Sequence, residues 1–179
     1  MLPIIITGGP GAGKTTLINA LSSAGYITYP EVSRVLIEEQ SQLEKGILPW
    51  VDMKAFAELC FISMMKQKGQ SSQVDTAFLD RAIPDIFGYL KQQNLTIPAS
   101  YIEECQGYHS QVFFCRPEVS VYVQDDVRPY PFDGALEIHQ ALIEAYQEVG
   151  FEVVDVPWGN VAERVSFVEQ YLNLQTEKV

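Results

Sequence analysis

The amino-acid sequence predicts an α/β fold, in which a parallel sheet lies between two layers of helices. Short apolar segments rich in β-branched residues alternate along the chain with longer segments of helical periodicity. Successive apolar segments are far enough apart for a crossover helix, which parallel strands require. The chain has 179 residues, of which 47% are hydrophobic. We therefore assign residues 1–174 to a single domain and expect residues 175–179 to form a frayed tail.

The strands of the sheet are predicted at short apolar runs bounded by turn residues. These runs are residues 2–7, 26–29, 76–79, 112–114 and 152–156. Residues 119–123 are interpreted either as another strand or as the beginning of a loop. The first run contains Ile4, Ile5 and Ile6 in succession, which is typical of a strand that is buried on both faces.

The helices are predicted from apolar spacing and from residues that start or stop helices. Leu17 and Leu21 share one face of the first helix, and Gly25 follows at its predicted end. Asp52 is expected to cap a long helix that Gly69 stops. The predicted helices cover residues 14–23, 32–43, 52–68, 85–93, 100–107, 135–149 and 161–172.

A phosphate-binding motif connects the first strand to the first helix. The sequence there has the pattern G-x-x-x-x-G-K-[ST], the Walker A loop of nucleotide-binding proteins. Its predicted nucleotide-binding residues are Gly8, Gly9, Pro10, Gly11, Ala12, Gly13, Lys14, Thr15 and Thr16. The alternative is an ordinary glycine-rich turn, which the position between a β-branched run and a helix disfavours. The loop therefore predicts a site for a nucleoside triphosphate.

Each residue type in this loop has a physical role. Glycines allow the backbone amides to converge on one anion, and the following helix adds the partial positive charge of its N-terminus. Lys14 can reach the β- and γ-phosphates, and we expect its side chain to be partly exposed. The hydroxyl of Thr15 can ligate Mg²⁺. ATP and Mg²⁺ are the predicted cofactors.

Two carboxylates are predicted to face the loop because the carboxyl ends of parallel strands meet at one edge of a sheet. Asp80 ends an apolar strand and is expected to hold Mg²⁺ through water; the alternative is a helix-cap or loop carboxylate. Glu31 follows the second strand and is a candidate general base toward an acceptor hydroxyl. Its alternative role is stabilisation of the following helix N-terminus.

Four further side chains are candidate ligand contacts. Three of them are arginines, which are informative because the sequence contains only 12 lysines and arginines. Arg34 and Arg81 are candidates for substrate or phosphate contacts, with structural ion pairs as the alternative; Arg34 lies three residues after Glu31. Arg128 lies in the proline-rich residues 125–134. We interpret this segment as a lid in which Arg128 is a catalytic cation over the phosphates. The alternative is that Arg128 is a solvated loop residue. Trp158 is a candidate adenine contact or a core residue.

Composition narrows the choice of partners and compartment. The net charge of −11 disfavours binding to nucleic acid or to an anionic membrane, since both need clustered basic residues. The three cysteines form no C-x-x-C pair, and the short apolar start runs directly into the phosphate loop. We expect a cytoplasmic protein with free thiols, acting on a small molecule; the oligomeric state stays open, with a homo-oligomer as one option.

Several motifs together resemble one family. These are G-G-P-G-A-G-K-T-T, Y-P-E-V-S-R, F-L-D-R-A-I-P-D, D-D-V-R and V-P-W-G-N-V-A-E-R-V. They are similar to the small AAA-type P-loop ATPase domains related to the nicotinamide riboside kinase domain of NadR. The resemblance implies a kinase-like P-loop fold of three layers, with a five-stranded parallel sheet in the order 2-3-1-4-5. It also implies a lid between the fourth strand and a late helix.

Deoxynucleoside kinases are more distantly similar. They carry an acidic residue after the second strand as base, which Glu31 matches, and an acid-Arg-Ser motif after the third strand. Asp80 and Arg81 match that motif, but Ala82 stands where the family has serine. NadR itself also has an adenylyltransferase domain that does not occur in this sequence.

The sequence thus predicts transfer of the γ-phosphate of ATP·Mg to a hydroxyl of a small metabolite, such as a nucleoside or ribosyl compound. It has no N-K-x-D or T-K-x-D guanine-reading motif and no L-S-G-G-Q signature, which disfavours switch GTPases and transporter ATPases. The main alternative is a slow ATPase that acts as a nucleotide-dependent regulatory module with a protein partner. A phosphate-loop scaffold without catalysis is a third interpretation.

Overall fold

The computed structural model describes residues 1–120, 122–124 and 131–174. The sheet contains β1 (Ile4–Gly8), β2 (Ile27–Tyr29), β3 (Ala77–Asp80), β4 (Gln111–Cys115) and β5 (Glu152–Val156). The helices are α1 (Lys14–Ser23), α2 (Val32–Ser41), α3 (Met53–Ser71), α4 (Ile83–Gln92), α5 (Ala99–Glu103), α6 (Phe132–Glu148) and α7 (Val161–Tyr171).

All strand pairs are parallel, and the strand order is β2-β3-β1-β4-β5. Successive residues of a strand face opposite sides of the sheet, so the sheet contributes to two separate cores. Ile5 and Phe114 pack with α3, α4 and α6 on one face, while Ile6 and Phe113 pack with α1 and α7 on the other. The three-layer α/β fold and the predicted strand order are therefore confirmed.

The boundaries of several elements differ from the predicted ones. Gly69 does not end α3, which continues to Ser71, a fully buried residue. One glycine costs a helix only about 1 kcal/mol, which tertiary packing overrides. The fourth helix begins at Ile83 rather than at Asp85, because the Asp85 carboxylate accepts a hydrogen bond from the backbone N–H of Ala82 at 3.1 Å and caps the helix start.

The segment interpreted as a lid is shorter than predicted at its C-terminal end. Helix α6 begins at Phe132, with Pro131 as its N-cap residue and Asp133 in its first turn, so Gly134 is helical. A proline before the first turn and an acid within it both favour a helix start. Arg128 and the rest of that segment lie outside the described residues, as do residues 175–179. The described part of residues 119–123 forms no strand.

The sheet places the predicted site residues at one edge. The phosphate loop follows β1, Glu31 follows β2, Asp80 ends β3 and Trp158 follows β5. Cys60, Cys105 and Cys115 are free thiols and are buried. Within the part of the chain that the structure describes, no helix combines the length and the apolar character needed to cross a membrane.

Candidate functional site

The phosphate loop lies between β1 and α1, and Gly8, Gly11 and Gly13 have positive φ angles that favour glycine. A Cβ on Gly8, which has φ +145°, would lie 2.0 Å from the carbonyl oxygen of Cys115. Gly13 is the N-cap residue of α1 in the left-handed region, at φ +68°. Helix α1 begins at Lys14, so the first amides of the helix have no partner within it and can bind an anion.

The Lys14 ammonium lies between two carboxylates. Its Nζ donates a hydrogen bond to Asp80 Oδ1 and lies 3.4 Å from Glu31 Oε2. The side chain is only 7% exposed, so the expectation of partial exposure is wrong. The carboxylates at the ends of β2 and β3 enclose the ammonium. The local sequence around Lys14 does not reveal this burial.

Asp80 is buried at the end of β3. Burial raises the pKa of this carboxyl above its usual value, and the nearby Glu31 charge acts in the same direction. The ion pair and hydrogen bond with Lys14 oppose both effects. The negative charge of Asp80 is therefore stabilised by the neighbouring Lys14 ammonium.

Glu31 carries a strongly stabilised negative charge. Burial by itself would raise its pKa, but the charges of Arg81 and Lys14, a hydrogen bond from Ser33 and the charge of Arg34 together lower the pKa to about 2. The Ser33 hydroxyl donates to Glu31 Oε1 at 2.8 Å, and Arg81 Nε lies 3.3 Å from the same oxygen. Although Glu31 stands at the N-cap of α2, its side chain makes no capping hydrogen bond. The structure thus directs this carboxylate into the site.

Arg81 connects Glu31 to a buried carboxylate that the sequence analysis did not identify. Its Nη1 donates to Asp85 Oδ1 at 2.9 Å, and its backbone has φ +70°, which is uncommon for a residue with a side chain. Asp85 is fully buried and also accepts hydrogen bonds from Thr7 Oγ1 at 2.6 Å and from the Tyr146 hydroxyl. The i, i+4 spacing of Arg81 and Asp85 is the signal that could have identified the pair.

His139, on α6, is a second residue that the sequence analysis missed. The backbone N–H of Gly9 donates to its Nδ1 at 3.0 Å, so the imidazole proton resides on Nε2. Burial and the charge of Arg116 lower the pKa of His139 to about 4, although Asp155 acts in the opposite direction. The neutral imidazole anchors one end of the phosphate loop to α6.

This buried histidine predicts a pH dependence of stability. The pKa of His139 falls from 6.5 to about 4 on folding, so between these values the unfolded chain binds more protons and stability decreases as the pH falls. Between pH 7 and pH 5 we expect the wild type to lose about 1–2 kcal/mol more unfolding free energy than His139→Gln. Urea unfolding at both pH values measures this. His109 is present in both proteins and serves as an internal control; equal losses would contradict the prediction.

Trp158 and Arg164 lie beside the phosphate loop on the side of β5. The indole is 38% exposed, so Trp158 is not a core residue, and its N–H donates to the carbonyl of Arg116 at 3.0 Å. The Arg164 guanidinium stacks on the indole, with its central carbon 4.6 Å from the ring centroid. Arg164 itself is 3% exposed and was not predicted as a site residue.

One cavity of about 750 Å³ brings most of the predicted site residues together. At one end it is lined by Gly9 to Thr16, Trp158 and Arg164, which we call the phosphate end. A second part of the lining comes from α2, α3, α4, α6 and the segment before α3, and we call it the acceptor end. Its lining residues are Ser33, Arg34, Ile37, Pro49, Met53, Phe56, Tyr89, Gln92 and Ile138. The cavity is large enough for two small ligands or one extended ligand.

The residues at the phosphate end fit Mg²⁺ that is bound together with a nucleotide. Among the described residues, no group of three or more acidic, histidine or cysteine side chains is placed to hold a metal ion. Mg²⁺ usually takes one or two protein oxygen ligands and completes its shell with phosphate oxygens and water. The hydroxyl of Thr15 and the carboxylate of Asp80 are suitable oxygen donors for that arrangement.

Comparison with known proteins agrees with this geometry. A sequence model described as AAA domain matches residues 3–164. No curated protein sequence matches the chain at a significant level. Among solved structures, NadR in complex with NR has 17% sequence identity and a TM-score of 0.70, and the alignment covers 99% of this chain and 53% of that one. The chain thus spans about half the length of the NadR chain.

The alignments with two further structures cover most of both chains. Deoxyadenosine kinase from M. mycoides with bound dATP has 17% identity and a TM-score of 0.54, with 96% of this chain and 100% of that chain aligned. Thymidylate kinase from Candida albicans has 14% identity and a TM-score of 0.61, with 96% and 91% aligned. At these identities the likeness shows the fold, which is that of a small P-loop kinase-like domain.

Proposed function

This chain belongs to the AAA domain family, and we propose that it transfers the γ-phosphate of ATP, together with Mg²⁺, to a hydroxyl of a small metabolite such as a nucleoside or ribosyl compound. One observation carries the proposal. A single cavity is lined by the phosphate loop, by Glu31 and Arg81, and by mostly apolar side chains of the acceptor end. A phosphoryl donor and an acceptor can therefore meet at Glu31.

At the phosphate end, we assign the roles from charge and position. Lys14 and the loop amides hold the phosphates, and Thr15 and Asp80 position Mg²⁺, Asp80 through water. Bound Mg²⁺ would neutralise charge that develops on the transferred phosphoryl group. Trp158 is our candidate contact for adenine because its partly exposed indole lines the same end. Arg128 stays a predicted lid residue that lies outside the described part of the chain.

The charges at the acceptor end favour a hydroxyl acceptor over a phosphate acceptor. A phosphate monoester carries a charge of about −1.5 to −2 at neutral pH. Of the described basic residues there, Arg81 is already paired with Glu31 and Asp85, and Arg34 makes no ion pair within the described residues. One unpaired cation offsets only part of that charge, so we propose that the acceptor presents a hydroxyl here and not a phosphate. The apolar lining supports a ring or another flat apolar group beside the reacting hydroxyl.

Glu31 is the proposed proton acceptor for that hydroxyl. Its pKa of about 2 keeps it ionised at neutral pH, but the same cations that lower the pKa also weaken it as a base. When Lys14 moves from Glu31 to the phosphates of ATP, one of these cations is withdrawn and the basicity of Glu31 rises. Nucleotide binding is thus expected to activate the base.

The slow regulatory ATPase is the less favoured alternative. An ATPase needs room for only one water molecule next to the γ-phosphate, whereas the cavity has a volume of about 750 Å³. We also propose that the protein is cytoplasmic and acts without nucleic acid or membrane, which its net charge of −11 supports. The neighbouring fold structures include kinases named for small molecules, which supports a small-molecule acceptor.

The deciding experiment is a screen of nucleosides and small alcohols with ATP·Mg. ADP release and the phosphorylated product are followed in the same reaction, by a coupled assay and by mass spectrometry. The proposal expects at least one acceptor to yield ADP and a phosphate monoester in equal amounts. ADP release without any phosphorylated product, whatever the acceptor, would support the ATPase alternative instead.

The variant Glu31→Gln tests the role of the base. It keeps the shape and the hydrogen bond from Ser33, while Arg81 and Lys14 keep their pairs with Asp85 and Asp80. We expect phosphate transfer to fall about 10²–10⁴-fold while ATP affinity stays within about twofold, because general-base catalysis affects the transfer step. Steady-state kinetics and calorimetric titration with ATP measure the two quantities.

The matched control for this variant is Glu38→Gln, which removes an exposed carboxylate from the same helix. Its transfer rate should equal that of the wild type. If Glu31→Gln also transfers phosphate at the wild-type rate, Glu31 is not the base and leaves the list of catalytic residues.

A further inference from the structure

Arg164, on α7, contacts two backbone carbonyls of the phosphate loop. Its Nη1 donates to the carbonyl oxygen of Gly13 at 3.4 Å, and its Nη2 donates to that of Ala12 at 3.3 Å. The guanidinium thus spans two consecutive carbonyls of the loop with its two terminal nitrogens. Arg164 forms no ion pair with a described carboxylate; its polar contacts are the two loop carbonyls and a hydrogen bond with the Cys115 side chain.

These two contacts act on the peptides that carry two loop amides, and the Gly13 carbonyl also accepts the helix hydrogen bond from the Leu17 N–H at 3.2 Å. A peptide group is planar and trans, so its C=O and its N–H point in opposite directions. The Ala12 carbonyl shares its peptide with the N–H of Gly13, and the Gly13 carbonyl shares its peptide with the N–H of Lys14. We propose that Arg164 is a positioning residue, which holds these carbonyls so that the amides of Gly13 and Lys14 face the phosphates of a bound nucleotide.

The surroundings of Arg164 hold the guanidinium in place. Helix α7 starts with a reciprocal cap, in which Asn160 Oδ1 accepts from Glu163 N at 2.9 Å and Glu163 Oε2 accepts from Asn160 N at 3.0 Å. Arg164 is the next residue in the helix. The indole of Trp158 covers its face at 4.6 Å. The helix start and the indole together leave the side chain little freedom to leave the loop.

The two terminal nitrogens of the arginine guanidinium are essential to this role. Two parallel donors can hold two neighbouring carbonyls at once, whereas the single ammonium of lysine supplies the charge without that geometry. The inference rests on the nucleotide-binding part of the proposed function and is independent of the acceptor. The role of Arg164 also differs from the role proposed for Trp158. The amides that Arg164 positions contact phosphate, whereas the indole contacts the adenine ring.

Binding of ATP·Mg and of inorganic tripolyphosphate with Mg²⁺ tests the proposal, both measured by isothermal titration calorimetry. Tripolyphosphate has no base, so it reports on the phosphate loop alone. We expect Arg164→Met to weaken both ligands by the same factor, about 10- to 100-fold, which corresponds to one or two lost hydrogen bonds to a charged group. Arg164→Lys should stay at least about tenfold weaker than wild type for both ligands.

Two control variants distinguish an effect on the phosphate loop from an effect on neighbouring residues. Trp158→Leu should weaken ATP by a larger factor than tripolyphosphate, because it removes the proposed base contact as well as the indole that covers Arg164. Arg116→Met removes an exposed arginine near the same edge, which pairs with Asp155 on the surface, and should leave tripolyphosphate binding within about twofold. Thermal unfolding checks that each variant is folded. If Arg164→Met does not fold, Arg164→Lys decides the test.

Three outcomes overturn the inference. They are wild-type binding by Arg164→Met, a loss for ATP with none for tripolyphosphate, and full recovery in Arg164→Lys, which would mean that charge alone suffices. A wild-type protein that binds neither ligand would overturn the nucleotide site, and this inference with it. A wild-type protein that binds both but phosphorylates no acceptor would remove the proposed transfer and leave the role of Arg164 standing.

Discussion

Replacing Lys14 by alanine is expected to reduce phosphate transfer from ATP by at least about 10²–10³-fold, because the variant loses a fixed cation at the transferring phosphoryl group. It should also weaken ATP binding. The change leaves the buried carboxylate of Asp80 and the partly buried carboxylate of Glu31 without the ammonium that lies between them. The variant is therefore expected to be less stable than the wild type at pH 7, with a deficit that shrinks toward pH 5 as the carboxylates bind protons.

The control for this variant is Lys54→Ala, which removes an exposed lysine from α3. Its transfer rate and stability should match those of the wild type. Turnover, ATP affinity and urea unfolding are measured on the same preparations. A Lys14→Ala protein with unchanged ATP affinity and turnover would show that the loop is not a nucleotide site.

Removing the carboxylate of Asp85 is expected to have the largest effect on stability. Asp85→Ala should lower the free energy of unfolding by about 3–5 kcal/mol, because it leaves the buried Arg81 guanidinium without its closest partner. The hydroxyls of Thr7 and Tyr146 would lose their acceptor at the same time. Denaturant unfolding at pH 7 measures the change.

An exposed ion pair provides the comparison for Asp85. Asp155 pairs with Arg116 at 2.9 Å, but both side chains are more than half exposed. Asp155→Ala should therefore cost less than about 1 kcal/mol. If Asp85→Ala and Asp155→Ala lower stability equally, the buried network around Asp85 does not support the fold in the way described.

The part of the site that the sequence predicted is the part set by local pattern and sheet topology. The phosphate loop is recognisable because its residues are contiguous and its neighbours are a β-branched run and a helix. Glu31 and Asp80 could be placed beside it because strand ends in a parallel sheet meet at one edge. The strand order came from the resemblance to a known family rather than from the residues themselves.

The residues that were missed have partners far away in the chain. Thr7 and Asp85 are 78 residues apart, Gly9 and His139 are 130 apart, and Gly13 and Arg164 are 151 apart. Asp85, His139 and Arg164 look like ordinary surface or cap residues in their own segments. Apart from the i, i+4 spacing of Arg81 and Asp85, no local pattern predicts their contacts, which depend on tertiary packing.

The pairing of Lys14 and Arg81 with buried carboxylates has a consequence for how quickly a nucleotide arrives. Carboxylates in contact with these cations cancel much of the positive potential that would otherwise extend from the cavity. The chain as a whole carries −11, so at distances beyond the cavity it repels a polyanion. Diffusional encounter with ATP is therefore slowed at low ionic strength and speeds up as salt screens the repulsion. The site therefore recognises phosphate only at contact distance. There the loop amides donate hydrogen bonds, and Lys14 exchanges its carboxylate partner for a phosphate, whereas long-range attraction is absent.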